Sequence, residues 1–214
     1  MAESMDTKTL VRDTRAFLSD LAANNTRAWF TDNKARYDAQ VKRPAELLVS
    51  QMTGWLERRD RQVRGKLFRP QRDVRFSEDK TPYHLHLHML WSMPDGRCWF
   101  FGLAQDYATA GAGVMVFSPE QLDRYREAVA EEEGATLARL LDTTGWRLDT
   151  PDLKRVPAPH PTDHPQASLL RRKGLVAWDD GIAQTAASDP RAALEAAFER
   201  MEPLQSWLGT ALGR

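Results

Sequence analysis

Residues 83–91 read Y-H-L-H-L-H-M-L-W, and the fold turns on how this run is read. His84, His86 and His88 fall on one side, Leu85, Leu87 and Met89 on the other. A strict period of two is the mark of a β-strand with one buried face. Pro94-Asp95-Gly96 follows as a turn signal. Residues 97–107 then supply aromatic and β-compatible side chains for a hairpin partner. Gly111-Ala112-Gly113 reads as a turn before a short strand at 114–117, and 175–178 as a last strand.

Both ends of the chain are helical in pattern. Over 7–23, Leu10, Thr14, Phe17, Leu18 and Leu21 share one helix face. Asn24-Asn25 is expected to stop that helix through a left-handed cap. Thr26 then caps a second helix carrying Trp29, Phe30, Tyr37 and Val41. Pro44 suits the first turn of a third, with Leu47, Leu48, Met52, Trp55 and Leu56. Ser118-Pro119-Glu120-Gln121 combines a cap, a first-position proline and a capping-box glutamine. Its helix is expected to break at Gly134 and stop at Gly145. Residues 146–156 look extended, and Pro157, Pro159, Pro161 and Pro165 impose an irregular crossing. A short helix follows at 167–173. Asp189-Pro190 opens the last helix, with Leu194, Phe198, Met201, Leu204, Trp207 and Leu208, which Pro203 is expected to kink. Strands do not alternate regularly with helices. The prediction is an α+β fold: a central, mostly antiparallel sheet with helices from the N- and C-terminal segments packed on it. One domain is expected over 1–214, helical at 7–60, sheet-rich at 66–117 and mixed at 118–214.

Composition sets limits on function. The chain is 42% hydrophobic and 28% charged, as in globular proteins. Thirty basic residues balance thirty acidic ones, so net charge gives no long-range pull on nucleic acid or membrane. Cys98 is the single cysteine. It excludes an intrachain disulfide and a cysteine metal cage, and beside Trp99 it reads as a buried, inert thiol. No apolar run approaches the roughly 18 residues of a spanning helix, and M-A-E-S-M-D-T-K lacks the build of a signal peptide. The expectation is a cytoplasmic protein that does not enter membranes; oligomeric state is not legible.

The chemistry concentrates in 69–88, R-P-Q-R-D-V-R-F-S-E-D-K-T-P-Y-H-L-H-L-H. Arg69, Arg72, Arg75 and Lys80, joined by Arg155, would hold a phosphate or carboxylate if they converge. The alternative is a bracing network in which Asp73 and Asp79 neutralise them. Asp73, Tyr83 and His86 are the proton-transfer candidates; a strand tyrosine also serves simply by packing its ring. His84, His86 and His88 project from one strand face, which allows a divalent metal site or merely a polar strand surface. No cofactor is predicted. The basic stretch 58–80 holds Arg58, Arg59, Arg61, Arg64, Lys66, Arg69, Arg72, Arg75 and Lys80 against Asp60, Asp73, Glu78 and Asp79. It raises nucleic-acid binding as a second function, which the zero net charge disfavours. A metal-dependent hydrolase on the histidine strand is the third. The acidic face at 127–133 allows a partner-binding scaffold, or a solvated surface.

Three runs, FLSDLAANNTRAWFTDNKARY at 17–37, RPQRDVRFSEDKTPY at 69–83 and LKRVPAPHPTDHP at 153–165, resemble the domain of unknown function 2461 family. The similarity extends from about residue 17 to beyond 178. It implies a bacterial α+β protein and carries no activity across. The chain departs from the family pattern at His84, where a lysine is usual, and at Val156-Pro157-Ala158-Pro159, where V-P-K-G is usual.

Overall fold

The computed structural model describes residues 7–59 and 62–213. Asp60 and Arg61 of the basic stretch, and residues 1–6 of the N-terminal run, lie outside the described residues. Six strands form one antiparallel sheet in the order β1-β2-β3-β4-β6-β5. They are β1 Arg64–Leu67, β2 His86–Ser92, β3 Cys98–Ala104, β4 Ala108–Val114, β5 Arg147–Leu148 and β6 Leu175–Asp179. With helices before and after it, this is the α+β architecture expected from the sequence.

The alternation in β2 sets the layering. Leu87, Met89 and Trp91 are buried while His86, His88 and Leu90 between them are half-buried. Register carries the same division into β3, where Met89 faces Phe101 and Trp91 faces Trp99. Helices cover that apolar face. The longest, α9 (Pro190–Leu212), packs against β4. Its Phe198 meets Trp55 of α4 (Arg43–Leu56), Trp91 and Trp99 at ring-centroid separations of 6.5, 5.7 and 4.7 Å. One contiguous core runs from Leu10 of α1 (Leu10–Ala23) to Leu212.

Several local expectations are corrected. Asn24 ends α1 at φ −139°, not in the left-handed region. Asn25 explains the pair instead: its amide donates to the Tyr83 carbonyl (2.9 Å) and accepts from the Tyr83 N–H (3.2 Å), tying the helix junction to the sheet. Thr26 caps α2 (Arg27–Asp32) through the Trp29 N–H. The helix then breaks at Asn33, resumes as α3 (Lys34–Tyr37) and runs through a π-turn at Asp38–Lys42 straight into α4. Pro44 lies in the first turn of α4, as expected, but that helix is entered directly from the π-turn rather than through a loop.

Gly111-Ala112-Gly113 is no turn. It lies inside β4, every residue of which is buried, and no strand forms at 115–117. Small residues are needed there because β4 is crossed closely on both sides. A Cβ on Gly113, at φ 143°, would approach the Leu175 carbonyl oxygen to 1.9 Å. Ser118 and Gln121 form the expected capping box of α5 (Pro119–Ala130). The break before α6 (Glu132–Thr144) falls at Glu131, not at Gly134, and Gly145 ends α6 in the left-handed region at φ 68°. Only Arg147–Leu148 of the stretch 146–156 is strand, and α7 spans Ala167–Leu170. A short helix, α8 (Ala183–Ser188), precedes α9, which continues through Pro203.

Two glycines test this account by chemical denaturation. Gly145→Ala, with nothing within 4 Å of the new Cβ, is expected to lower the unfolding free energy by about 1 kcal/mol through backbone strain alone. Gly113→Ala adds a backbone collision in the buried sheet and is expected to lower it by about 3 kcal/mol. Equal effects would contradict the placement of Gly113 inside β4.

Candidate functional site

The stretch 69–88 is the outer part of one long hairpin. β1 pairs with β2 from Arg64↔Ser92 to Leu67↔Met89. The ladder goes on through Phe68 N–H to His88 O (3.0 Å), His84 N–H to Pro70 O (2.8 Å) and Arg72 N–H to Pro82 O (2.9 Å). Residues 73–81 form its head. The hairpin geometry explains why the three arginines do not share a face: they sit on the arm, at the neck and in the head.

Arg72 braces the head from within. Its guanidinium donates to Asp79, to both oxygens of Thr81 and to Ser77. The Thr81 N–H, then Arg72 and the Thr81 hydroxyl, hold the Asp79 carboxyl down to a pKa of about 2. Arg75 is exposed and forks onto Asp73 through Nε (2.9 Å) and Nη2 (2.7 Å); its side chain and then its N–H lower the Asp73 pKa. Lys80 donates to the Val74 carbonyl at 3.1 Å. Arg69 differs. Among the described residues it makes no side-chain hydrogen bond or ion pair, and it lines a cavity of ≈ 250 Å³ with Phe68, Gln71, Asp73, His84, His86 and His88.

The histidines form a column. His84 and His86 have ring centroids 4.7 Å apart, and His86 and His88 stack at 3.8 Å and 15°. His88 Nε2 and the Tyr107 hydroxyl share a hydrogen bond of 2.9 Å. Burial lowers all three pKa values, helped at His84 by Arg72 and at His86 and His88 by the neighbouring rings; His88 falls to about 4. The column is thus neutral at pH 7. Nearly parallel rings keep their in-plane lone pairs in separate planes, so His86 and His88 do not aim at one metal position. Among the described residues no group of three His, Cys, Asp or Glu side chains is arranged to hold a metal ion.

Of the proton-transfer candidates, Asp73 and His86 share the cavity. Tyr83 does not: it is buried and stacks on Phe30 at 4.0 Å and 14°. Arg155 is exposed on the proline-rich crossing, and Arg72, Arg75 and Lys80 lie outside the cavity lining. Phe68, Gln71 and Tyr107 are the residues that the sequence reading missed. Phe68 carries no motif and Gln71 carries no charge that would single it out; they enter because β1 pairs with β2. Cys98 is a buried thiol, its pKa pushed up to about 11 by burial and then by Asp95. Among the described residues no helix is long and apolar enough to cross a membrane.

A family model described as conserved hypothetical protein (DUF2461) matches residues 13–207. The chain belongs to this family. No curated protein and no solved structure matches it. The family match takes in the whole hairpin and all but the first three residues of the α1–α4 region that braces it. It therefore covers every residue of the cavity.

Two outcomes check the site's electrostatics. Histidines with lowered folded pKa values bind fewer protons folded than unfolded, so stability is full above the unfolded value near 6.5 and falls as pH drops toward about 4. Urea denaturation across that window should show the decline, and His88→Asn should flatten it; an unchanged slope would place the proton uptake elsewhere. In the head, Arg72→Ala is expected to speed amide exchange at Thr81 and His84 strongly. Arg75→Ala, which loses only an exposed pair, should leave exchange there unchanged.

Proposed function

We propose that the protein binds a small phosphate- or carboxylate-bearing ligand in the cavity lined by Phe68, Arg69, Gln71, Asp73 and the histidine column. The observation that carries this reading is Arg69. It is a guanidinium with no side-chain hydrogen bond or ion pair among the described residues, although its charge helps lower the Asp73 pKa, and it lies at the rim of a small cavity while the neighbouring Arg72 and Arg75 are committed to carboxylates. The Asp73 charge is compensated first by Arg75 and only then by Arg69, so the local balance leaves the Arg69 guanidinium with its donors unpaired. Its planar fork matches the oxygens of either anion. Neutral imidazoles beside it offer N–H donors at pH 7, and an anion bound there would raise their pKa values. The cavity volume suits an ion or a compact metabolite rather than a large cofactor.

Calorimetric titration with inorganic phosphate and sulfate tests the reading. Sulfate keeps its charge between pH 5.5 and pH 7.5, so any pH effect reports on the protein. Binding is expected to be tighter at pH 5.5, where imidazole protonation follows the anion. Arg69→Ala should weaken it by about tenfold or more, and Arg155→Ala, at an exposed position outside the cavity lining, should leave it unchanged. Failure of both anions to bind at millimolar concentration, or full binding by Arg69→Ala, would remove the proposal.

A further inference from the structure

The sheet face turned away from the helices extends beyond the cavity, to Phe100 and Trp178. Register fixes its membership. Lys66 lies opposite Leu90, Leu90 opposite Phe100, Phe100 opposite Gly111, Gly111 opposite Trp178, and Trp178 opposite Arg147. One row of side chains therefore crosses all six strands. The next row holds His88, Gly102 and Thr109.

The glycines let rings lie flat on this surface. A Cβ on Gly111 would meet the Trp178 ring at 2.5 and 2.6 Å, and one on Gly102 would meet the Tyr107 ring at 3.2 Å and His88 at 3.4 Å. Phe100 and Trp178 are 5.4 Å apart, and His86 and His88 stack beside them across the sheet. Phe100, Trp178, Tyr107 and the histidines are all half-buried. Phe100 and Trp178 form a tilted pair (51°) on this surface, with the Arg147 guanidinium 5.7 Å from the Trp178 ring centroid, while His86 covers one face of the His88 ring. The β1 flank is cationic: Arg64, Lys66 and Arg69 are exposed, and none makes an ion pair among the described residues. At the far end Arg147 is held by Asp180 (2.7 Å) and Asp149 (3.1 Å).

We propose that this face binds single-stranded nucleic acid, with bases stacked on Phe100 and Trp178 and phosphates held along Arg64 and Lys66. Every base presents a π-face, so an aromatic platform takes a single strand without a hydrogen-bonding code. The distance favours a strand over a mononucleotide. From β1 to β6 is four strand spacings, about 19 Å, room for about two or three bases, as on other sheet platforms. A duplex keeps its base faces inside the stack and cannot use these rings. The one-sided cation flank argues against an apolar protein segment, which has no need of it, and sets the phosphate backbone at the β1 edge.

Fluorescence anisotropy tests this with labelled single-stranded RNA and DNA about ten nucleotides long, and a duplex of the same sequence, at low salt. Single strands are expected to bind and the duplex to bind at least about tenfold more weakly. Phe100→Ala should weaken single-strand binding by about tenfold. Arg64→Ala and Lys66→Ala should each lower affinity and reduce the salt slope by about 0.7. Both cations are exposed, so these variants should melt with the wild type by circular dichroism and keep the test readable if Phe100→Ala does not fold. No binding of either single strand, equal binding of the duplex, or unchanged affinity in both charge variants overturns the proposal. Sulfate binding at Arg69 that persists in such a result leaves the small-anion reading standing and removes only this one.

Discussion

Phe198 is the contact on which the rest of the structure depends. It sits on α9 and touches the rings of Trp55, Trp91 and Trp99, so one side chain joins α4, β2 and β3. Burying a side chain of this size is worth about 2–3 kcal/mol, and the three tryptophans against it are buried as well. The helices are thereby fixed to one face of the sheet. A one-residue slip of β2 would carry Trp91 and Met89 out and the histidines in. The aromatic cluster forbids that slip, and the histidines are left on the opposite face.

The hairpin of β1 and β2 then sets the chemistry. Its arms are paired far beyond the regular strands, and its head is held by Arg72 from inside. Two of the basic residues that look most capable in the sequence are thus occupied in keeping a loop in shape. Their carboxylate partners are only two and seven residues away, within easy reach of a tight turn. Arg69 sits one step earlier, where the chain is still extended and no carboxylate is paired to it. The difference between a bracing arginine and an available one lies in that local geometry, not in residue type.

Burial acts on the histidines in the same way. Each ring loses solvent to the next, so the column favours neutral imidazoles, and His88, the most enclosed, is held down to about 4. Tyr107, brought in by the β3–β4 hairpin, closes that end with a hydrogen bond. His84, where the family usually carries a lysine, lies at the other end, nearest the charge of Arg72. A lysine there would add a cation to the cavity rather than a ring to the stack.

Strong local rules were legible in the sequence. The alternation gives β2 and its buried side from His86 onward, whereas Leu85, expected on that side, lies before the strand and is exposed. Thr26, Ser118 with Gln121, Gly145 and Asp189 mark helix ends through their own hydrogen bonds or left-handed backbone. Helices before and after a run of strands give the α+β class. What the sequence did not show depends on partners distant in the chain. Gly111-Ala112-Gly113 looks like a turn until β6 is laid beside it, and residues 64–67 show only as part of a basic stretch until β2 pairs with them. Arg69, Arg72 and Arg75 are indistinguishable in spacing, and Tyr83 and His86 are equally plausible acids and bases. The sequence by itself determined which residues alternate, cap and break, because those properties arise from each residue's own backbone and nearest neighbours. Only the tertiary structure decided which cations are free and which rings share a surface, because pairing and burial are properties of neighbours that the fold alone brings together.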